Sequence, residues 1–206
     1  MNAYDYVSYL HAKVRFGDAR QDMRWEAFSP VFARACEGAS LIVDAGAEYG
    51  FYIHLARRAN PSCRVIAFEP EPPRYDALQR FFAEAEGVDI RPQALMDRRG
   101  EVRIYKAEGR SASVDPRLSQ WQVDEKQEIS VPAIALDDAL QGAVPDVIKM
   151  DIEGAEVFAL DGMTSTLATG RPVVFLEFHG KFIEAMRPGG SQSMRAKASA
   201  SRFTRV

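Results

Sequence analysis

The chain has 206 residues, of which 47% are hydrophobic and 27% charged, an ordinary composition for one globular domain. Its 26 basic and 29 acidic residues give a formal net charge of −3, so the charge balance offers no electrostatic case for nucleic acid or an anionic membrane as a partner. No apolar run approaches the ~20 residues that a membrane span needs. Cys36 and Cys63 form no CxxC pair, so the sequence carries no signature of a zinc site or a disulfide framework. The first residues lack the layout of a signal peptide, and we expect a cytoplasmic protein.

Strand and helix patterns alternate along most of the chain. Residues 1–40 predict an N-terminal helical segment. The elements predicted after it are, in chain order, strand 41–46, helix 49–59, strand 64–70, helix 73–86, strand 88–95, strand 145–152, helix 154–160 and strand 171–179. The strands are near-continuous apolar runs, which is typical of strands buried on both faces. This order predicts a doubly wound, Rossmann-like α/β fold with a mostly parallel sheet.

Two stretches interrupt this alternation. Residues 100–108 and 127–136 alternate in polarity and predict a β-hairpin insertion, with a long polar loop between its strands. Beyond Arg187 the chain is basic, lacks acidic residues and has almost no periodicity, so residues 188–206 predict a tail without stable structure. A solvated tail is favoured over one that binds nucleic acid. The main domain is therefore predicted to span residues 41–187.

Ligands of such sheets bind beyond the carboxyl ends of the strands, where the loops converge. The turn after the first strand, Gly46-Ala47-Glu48-Tyr49-Gly50, fails the GxGxxG dinucleotide pattern at its second glycine. A glutamate at that position would repel a pyrophosphate. Together with Asp44 it favours a cofactor with positive charge and no phosphate, such as S-adenosylmethionine. The predicted cofactor-binding residues are Asp44, Gly46, Ala47, Glu48, Tyr49, Gly50, Glu69, Pro70, Ala94 and Asp151.

Glu69 ends the second strand, 23 residues after Gly46. An acid at about this place accepts hydrogen bonds from ribose hydroxyls in Rossmann-type sites. This position alone does not separate a nicotinamide cofactor from S-adenosylmethionine, since both contain adenosine. The alternative interpretation is an acid that caps the next helix.

Five segments occur in a characteristic order and spacing. They are VDAGAEYG, FEP, QALMDRRGEVRIY, IALDDAL and IKMDIEGAE. Together they resemble the FkbM family of S-adenosylmethionine-dependent methyltransferases over roughly residues 41–180. The resemblance implies the class I methyltransferase type of Rossmann-like fold. It also implies O-methylation of a hydroxyl group on a small molecule or sugar.

The sequence departs from this family in two places. Glu48 stands where the family commonly has asparagine, and we expect its contact near the methionine end of the cofactor to survive. Methyltransferases of this fold normally finish with a helix and an antiparallel hairpin after the fifth strand. Residues 188–206 contain no plausible strand pair, which predicts an incomplete C-terminus that could leave the acceptor pocket incomplete.

Four side chains are candidates for the chemistry of methyl transfer. Asp151 and Glu153 follow the fourth strand, while Glu177 and His179 end the fifth and share one of its faces. One interpretation is a base, His179, that takes the hydroxyl proton while a carboxylate orients it. The other is a divalent metal site built on Asp151 and Glu153. The metal-free base is favoured, because neither a second histidine nor a dense carboxylate cluster is visible.

Other polar residues have structural explanations. Glu153 and Glu156 could simply open a helix, where acids favour the helix dipole. Lys149 lies inside an apolar strand. Its side chain is therefore expected either to extend its ammonium group to water or to pair with a carboxylate. Asp137 and Asp138 predict a helix N-cap without a chemical role.

Three alternatives to an active O-methyltransferase stay open at this point. The first is a catalytically impaired or non-enzymatic domain that still binds S-adenosylmethionine. The second is a nicotinamide-dependent oxidoreductase, which the broken glycine spacing disfavours. The third is a nucleic-acid methyltransferase, which is the weakest because no Asn/Asp-Pro-Pro-Tyr loop is present to hold a flipped base.

Overall fold

The structure is a computed structural model that describes residues 29–106, 112–114 and 127–177. Of the predicted helical segment 1–40, residues 29–36 fall within these ranges and are helical. The predicted tail 188–206 and the catalytic candidate His179 lie outside the described residues. The predictions made for them therefore remain predictions.

Helices and strands alternate through the described part of the chain. The helices are α1 (29–36), α2 (Phe51–Ala59), α3 (Pro72–Phe81), α4 (Leu136–Leu140), α5 (Glu156–Asp161) and α6 (Thr164–Gly170). The strands are β1 (Leu41–Ala45), β2 (Arg64–Phe68), β3 (Val88–Arg91), β4 (Ala94–Leu95), β5 (Gly100–Lys106), β6 (Gln127–Ile134), β7 (Val147–Met150) and β8 (Val173–Leu176). The predicted and observed ends of the helices and strands differ most at α3. The sequence predicts that this helix reaches residue 86, and it ends at Phe81.

Five strands form a parallel sheet in the order β3-β2-β1-β7-β8. All five residues of β1, at the centre, are buried. One face of the sheet packs on a cluster that includes Phe32, Ile53 and Leu78, and the other on a cluster that includes Leu136 and Met163. Coverage of both faces explains why the strands read as continuous apolar runs. The predicted doubly wound, Rossmann-like architecture is confirmed.

A second, three-stranded sheet has the order β4-β6-β5. Strands β5 and β6 are antiparallel, which confirms the predicted hairpin insertion. The prediction of a single strand over 88–95 is wrong, because β3 ends at Arg91 and β4 pairs with β6 in the other sheet. Pro92 lies at the break and has no N–H to continue a ladder.

None of the helices within the described ranges has the length and apolar character that a membrane span requires.

Candidate cofactor-binding cleft

A cleft opens at the carboxyl ends of β1, β2 and β7 and is closed on one side by the smaller sheet. Its lining residues are Gly46, Glu48, Phe68, Glu69, Pro70, Arg74, Gln93, Ala94, Leu95, Ile104, Ala112, Val114, Asp151, Ile152, Glu153 and Ala155. Seven of the predicted site residues are among them: Gly46, Glu48, Glu69, Pro70, Ala94, Asp151 and Glu153. The convergence expected for strand ends of a parallel sheet is therefore present.

The backbone N–H groups of the turn after β1 donate their hydrogen bonds to other groups of the protein. The N–H groups of Gly46 and Ala47 both donate to the carbonyl oxygen of Phe68, at 2.9 and 3.0 Å. The N–H of Glu48 donates to Oε2 of Glu69 at 2.7 Å. These three amides are consequently committed within the protein, whereas a phosphate-binding turn presents its amides to the ligand.

Two glycines of this turn are fixed by their surroundings. Gly46 has φ +75°, and a Cβ placed there would lie 1.9 Å from the carbonyl oxygen of Asp151. Gly50 has φ +81°, and its Cβ would lie 2.5 Å from the Phe82 ring. Both positions therefore need glycine for backbone geometry and close packing. Gly50 faces α3 and is not a lining residue of the cleft.

Glu69 is 4% exposed at the end of β2. Its two carboxylate oxygens accept the N–H groups of Glu48 at 2.7 Å and of Glu71, the N-cap residue of α3, at 3.0 Å. The helix-capping interpretation is thus part of its role, but a carboxylate oxygen can accept more than one hydrogen bond. Burial raises the pKa of Glu69 to about 7, although these amides and Arg74 oppose the rise.

Asp44 lies beneath the turn and is fully buried, so the structure does not bring it into the cleft lining. Lys149 Nζ is 3.3 Å from Asp44 Oδ1, which confirms the predicted carboxylate partner for this lysine. Burial alone would lower the pKa of Lys149, but Asp44 and Asp151 outweigh it and raise that pKa. The lysine is therefore a buried cation at neutral pH.

Arg74 on α3 is a lining residue that the sequence interpretation did not single out. Its guanidinium lies 3.2 Å from a Glu48 carboxylate oxygen and 3.1 Å from one of Glu71. It also stands over the ring of Tyr49, 5.0 Å from the ring centroid. The (i, i+3) spacing from Glu71 to Arg74 is a local signal for one of these pairs. Nothing local in the sequence indicates the contact with Glu48.

The remaining residues of the turn take supporting positions. Ala47 is buried, and Tyr49 is 36% exposed beside Arg74. Neither is a lining residue of the cleft.

The candidate catalytic residues separate into two groups. Asp151 and Glu153 line the cleft, and Oδ1 of Asp151 is buried without a hydrogen-bond partner in the described part of the chain. Glu153 has φ +49° and precedes α5, which begins at Glu156, so it does not open that helix as the dipole interpretation expected. Glu177 follows β8 and is not a lining residue. The pKa of the Tyr52 hydroxyl is raised by burial and by the carboxylates of Asp44, Asp151 and Glu177.

Within the described residues, no group of three or more histidine, cysteine, aspartate or glutamate side chains is placed to hold a metal ion. His179 is not among the residues to which this statement applies.

Strand β5 and the segment 112–114 are attached to the two loops, after β2 and after β7, that border the cleft. At one side the ammonium of Lys106 binds the buried carboxylate of Glu71. At the other, the hydroxyl of Ser113 donates to the carbonyl oxygen of Glu153. This sheet and the segment 112–114 contribute an apolar wall that includes Leu95, Ile104 and Val114. The cleft is therefore lined by acidic side chains near the strand ends and by apolar side chains from the smaller sheet and the segment 112–114.

The ionisable side chains lining the cleft, within the described residues, are four carboxyl groups and one guanidinium. The guanidinium of Arg74 is already bound to Glu48 and Glu71. Such a site attracts a ligand that carries positive charge and repels a phosphate. The apolar wall is suited to a flat, weakly polar group such as a base.

Comparison with known proteins agrees with this geometry. The family model described as "Methyltransferase FkbM domain" matches residues 44–193. The "Methyltransferase sdnD" of Sordaria araneosa is 27% identical over 154 residues, which cover 59% of this chain and 60% of that protein. The crystal structure of methyltransferase FkbM from Methylobacillus flagellatus KT matches with a TM-score of 0.51 at 20% identity, covering 68% of this chain and 32% of that one. The chain thus spans about 60% of the curated relative's length.

Proposed function

Since this chain belongs to the FkbM methyltransferase family, we propose that it transfers a methyl group from S-adenosylmethionine to a hydroxyl group of a small molecule or sugar. The acceptor is proposed by its chemistry alone, and no nucleic acid or membrane is invoked as a partner. A cytoplasmic location belongs to the same proposal.

The observation that carries the cofactor assignment is the state of the turn after β1. The amides of Gly46, Ala47 and Glu48 already donate within the protein, and the side chain of Glu48 faces the cleft. A pyrophosphate would find no amides offered by these three residues and would meet a carboxylate. A sulfonium and an ammonium group, which S-adenosylmethionine carries, would meet complementary charge instead.

The residues present fit this cofactor. Glu69, at the end of β2, would accept hydrogen bonds from the ribose hydroxyls. Glu48 and Asp151 would face its cationic end, and the wall around Leu95 and Ile104 would cover the adenine. When bound, S-adenosylmethionine supplies an electrophilic methyl group on a positively charged sulfur.

The protein's own contribution is to position the acceptor and to receive its proton. A hydroxyl is a poor nucleophile until a base takes its hydrogen. Asp151 is the described residue best suited to that step, because its Oδ1 is buried in the cleft without another hydrogen-bond partner among the described residues. The hydroxyl proton would pass to this carboxylate while the acceptor oxygen gains the methyl group, and the carbon–sulfur bond would break to release S-adenosylhomocysteine. His179 remains the alternative base on sequence grounds.

Calorimetric titration of the purified protein with S-adenosylhomocysteine tests the proposal, with NAD as the parallel ligand. We expect S-adenosylhomocysteine to bind with micromolar affinity and NAD not to bind. Titration of a folded sample in which only NAD binds, or neither ligand binds, would overturn the cofactor assignment. Repeating the titration and the methyl-transfer assay after treatment with EDTA decides whether a divalent metal takes part.

A further inference from the structure

We propose that Lys149 is a positioning residue, whose ammonium holds the turn after β1 in the conformation that forms the cofactor-binding cleft. The inference rests on the proposed function for the identity of the ligand. Its structural part concerns only how the turn is held.

The ammonium of Lys149 is directed at three oxygens. It lies 2.6 Å from the carbonyl oxygen of Gly46, 3.3 Å from that of Ala45 and 3.3 Å from Oδ1 of Asp44. Its hydrogen bonds go to the two carbonyl oxygens, and Asp44 is its ion-pair partner. The ring of Tyr52, with its centroid 5.0 Å from Nζ, adds a cation–π contact.

The register of the sheet creates this arrangement. Asp44 and Lys149 are paired across β1 and β7, one residue before the end of each strand. The side chain of Lys149 therefore reaches the place where β1 turns away from the sheet. An apolar residue in β7 could fill the same space, but it could not donate to the carbonyl groups of Ala45 and Gly46.

Lys149 acts through the turn and not on the ligand. It is 6% exposed and is not a lining residue of the cleft. Its two hydrogen bonds, to Ala45 and Gly46, and its ion pair with Asp44 all lie beneath the turn. What it controls is the direction of the Gly46 carbonyl group.

The direction of that carbonyl matters because the next residues build the cleft. Gly46 packs against the carbonyl oxygen of Asp151, and two residues later the N–H of Glu48 binds Glu69. A turn released from Lys149 would lose this register, and the Glu69 carboxylate would lose one of its two amide donors. Cofactor affinity would then fall although neither Glu69 nor Glu48 had been changed.

A simple Lys149→Met substitution would leave the Asp44 carboxyl group buried without its partner, which by itself can unfold a protein. The informative comparison is therefore between Asp44→Asn and the double variant Asp44→Asn/Lys149→Met. Neither variant has a buried carboxylate at position 44, and they differ only in the lysine. Thermal unfolding first establishes that both are folded.

Two measurements on this pair test the proposal. In the double variant we expect a dissociation constant for S-adenosylhomocysteine at least tenfold higher than in Asp44→Asn. We also expect faster hydrogen exchange in residues 44–50, with unchanged exchange in the β5–β6 hairpin as the internal control. Equal exchange in the turn, or equal affinity, would overturn the positioning role.

Failure of the proposed function would look different. The unsubstituted protein would then not bind S-adenosylhomocysteine at all, while the exchange comparison would still decide whether Lys149 holds the turn.

Discussion

The backbone N–H of Glu48 donates a 2.7 Å hydrogen bond to Oε2 of Glu69, which joins the turn after β1 to the end of β2. The two residues are separated by 21 positions in the chain. One carboxylate therefore fixes the shape of the turn and also offers acceptor capacity to the cleft. This double role makes Glu69 the first residue to vary.

Replacing Glu69 by alanine should weaken S-adenosylhomocysteine binding by about 1–3 kcal/mol, the size of a lost charged hydrogen-bond pair. The loss combines the missing ribose acceptor with a turn whose Glu48 amide has lost its partner. Titration calorimetry measures it directly. Glu84→Ala, at an exposed glutamate in the turn after α3, serves as the matched control. Unchanged affinity in Glu69→Ala would remove Glu69 from the cofactor site.

Cofactor affinity should depend on pH through Glu69. Its pKa is raised to about 7, so below that pH the free protein holds a proton there. Ribose hydroxyls that donate to the ionised form would displace this proton. Affinity should therefore rise up to about tenfold per pH unit between pH 5.5 and 7 and level off above. Titrations across this range, repeated on Glu69→Gln, should show a slope only for the unsubstituted protein.

The same raised pKa has an opposite effect on the stability of the ligand-free protein. Between its ordinary value near 4.5 and the folded value near 7, the folded state binds more protons at Glu69 than the unfolded state does. The contribution of Glu69 to the free energy of unfolding should therefore decrease as the pH rises through this window. Urea unfolding at pH 5 and pH 8 compares the two limits, and Glu69→Gln should show a smaller difference.

Replacing Asp151 by asparagine should lower turnover about 100-fold or more while leaving most of the cofactor affinity intact, because a general base contributes at least that much. The measurement is single-turnover formation of S-adenosylhomocysteine with a hydroxyl acceptor that the unsubstituted protein methylates. Glu101→Gln, an exposed acid in β5, is the control. Full turnover in Asp151→Asn would assign the proton transfer to another group, and His179→Gln would then be the variant to measure.

Replacing Gly46 by alanine should destabilise the fold and abolish cofactor binding. A left-handed backbone costs an alanine about 1–2 kcal/mol. In addition, the new Cβ would lie 1.9 Å from the carbonyl oxygen of Asp151, so the turn would have to move. Urea unfolding quantifies the loss. Gly38→Ala, where a Cβ meets nothing within 4 Å, should have little effect. Equal behaviour of the two variants would contradict the close approach at Gly46.

Asp137 was predicted to cap a helix, but the helix it caps is not its own. It lies in the first turn of α4, and its carboxylate accepts the N–H groups of Ser165 and Thr166 at 2.9 and 2.8 Å, in the first turn of α6. Asp137→Ala should therefore lower stability by about 0.5–2 kcal/mol. Asp138→Ala, at the exposed next position, should cost much less.

The pH dependence of this cap follows from its hydrogen bonds. Burial opposes the effect, but the bonds from Thr166 and Ser165 lower the pKa of Asp137 below 3.8. Its contribution to the free energy of unfolding is therefore complete above about pH 5 and is lost as the pH falls further. Asp137→Ala and the unsubstituted protein should converge in stability in acid. A constant difference down to pH 2 would show that the carboxylate is not the cap.

The sheet was predictable because its strands are buried on both faces. Apolar runs such as 65–68 and 173–176 are typical of strands that are covered on both faces of a sheet. The apolar pattern does not predict the break at Pro92, because residues 94–95 are as apolar as the strand before them. Only pairing with β6, some 40 residues later, assigns them to the second sheet.

Those cleft residues that lie at strand ends could be predicted from the sequence. Gly46, Glu69 and Asp151 follow three different strands, and the topology alone brings them together. The contact between Arg74 and Glu48 depends on how α3 and the turn after β1 meet in the fold, so no pattern in the sequence predicts it. The charge of Asp44 predicts a place in the cleft, but this residue lies within β1 and is fully buried beside Lys149.

The walls of the cleft come from segments spread over more than a hundred residues, from the turn at Gly46 to the loop at Ala155. No partly folded chain that lacks β7 or the smaller sheet can present them together. A ligand held there should therefore raise the midpoint of a single cooperative unfolding transition, by an amount that grows with the logarithm of its concentration. Binding of the ligand in the cleft would then show that the fold is intact. A high concentration of this ligand in the cell would protect the protein from degradation.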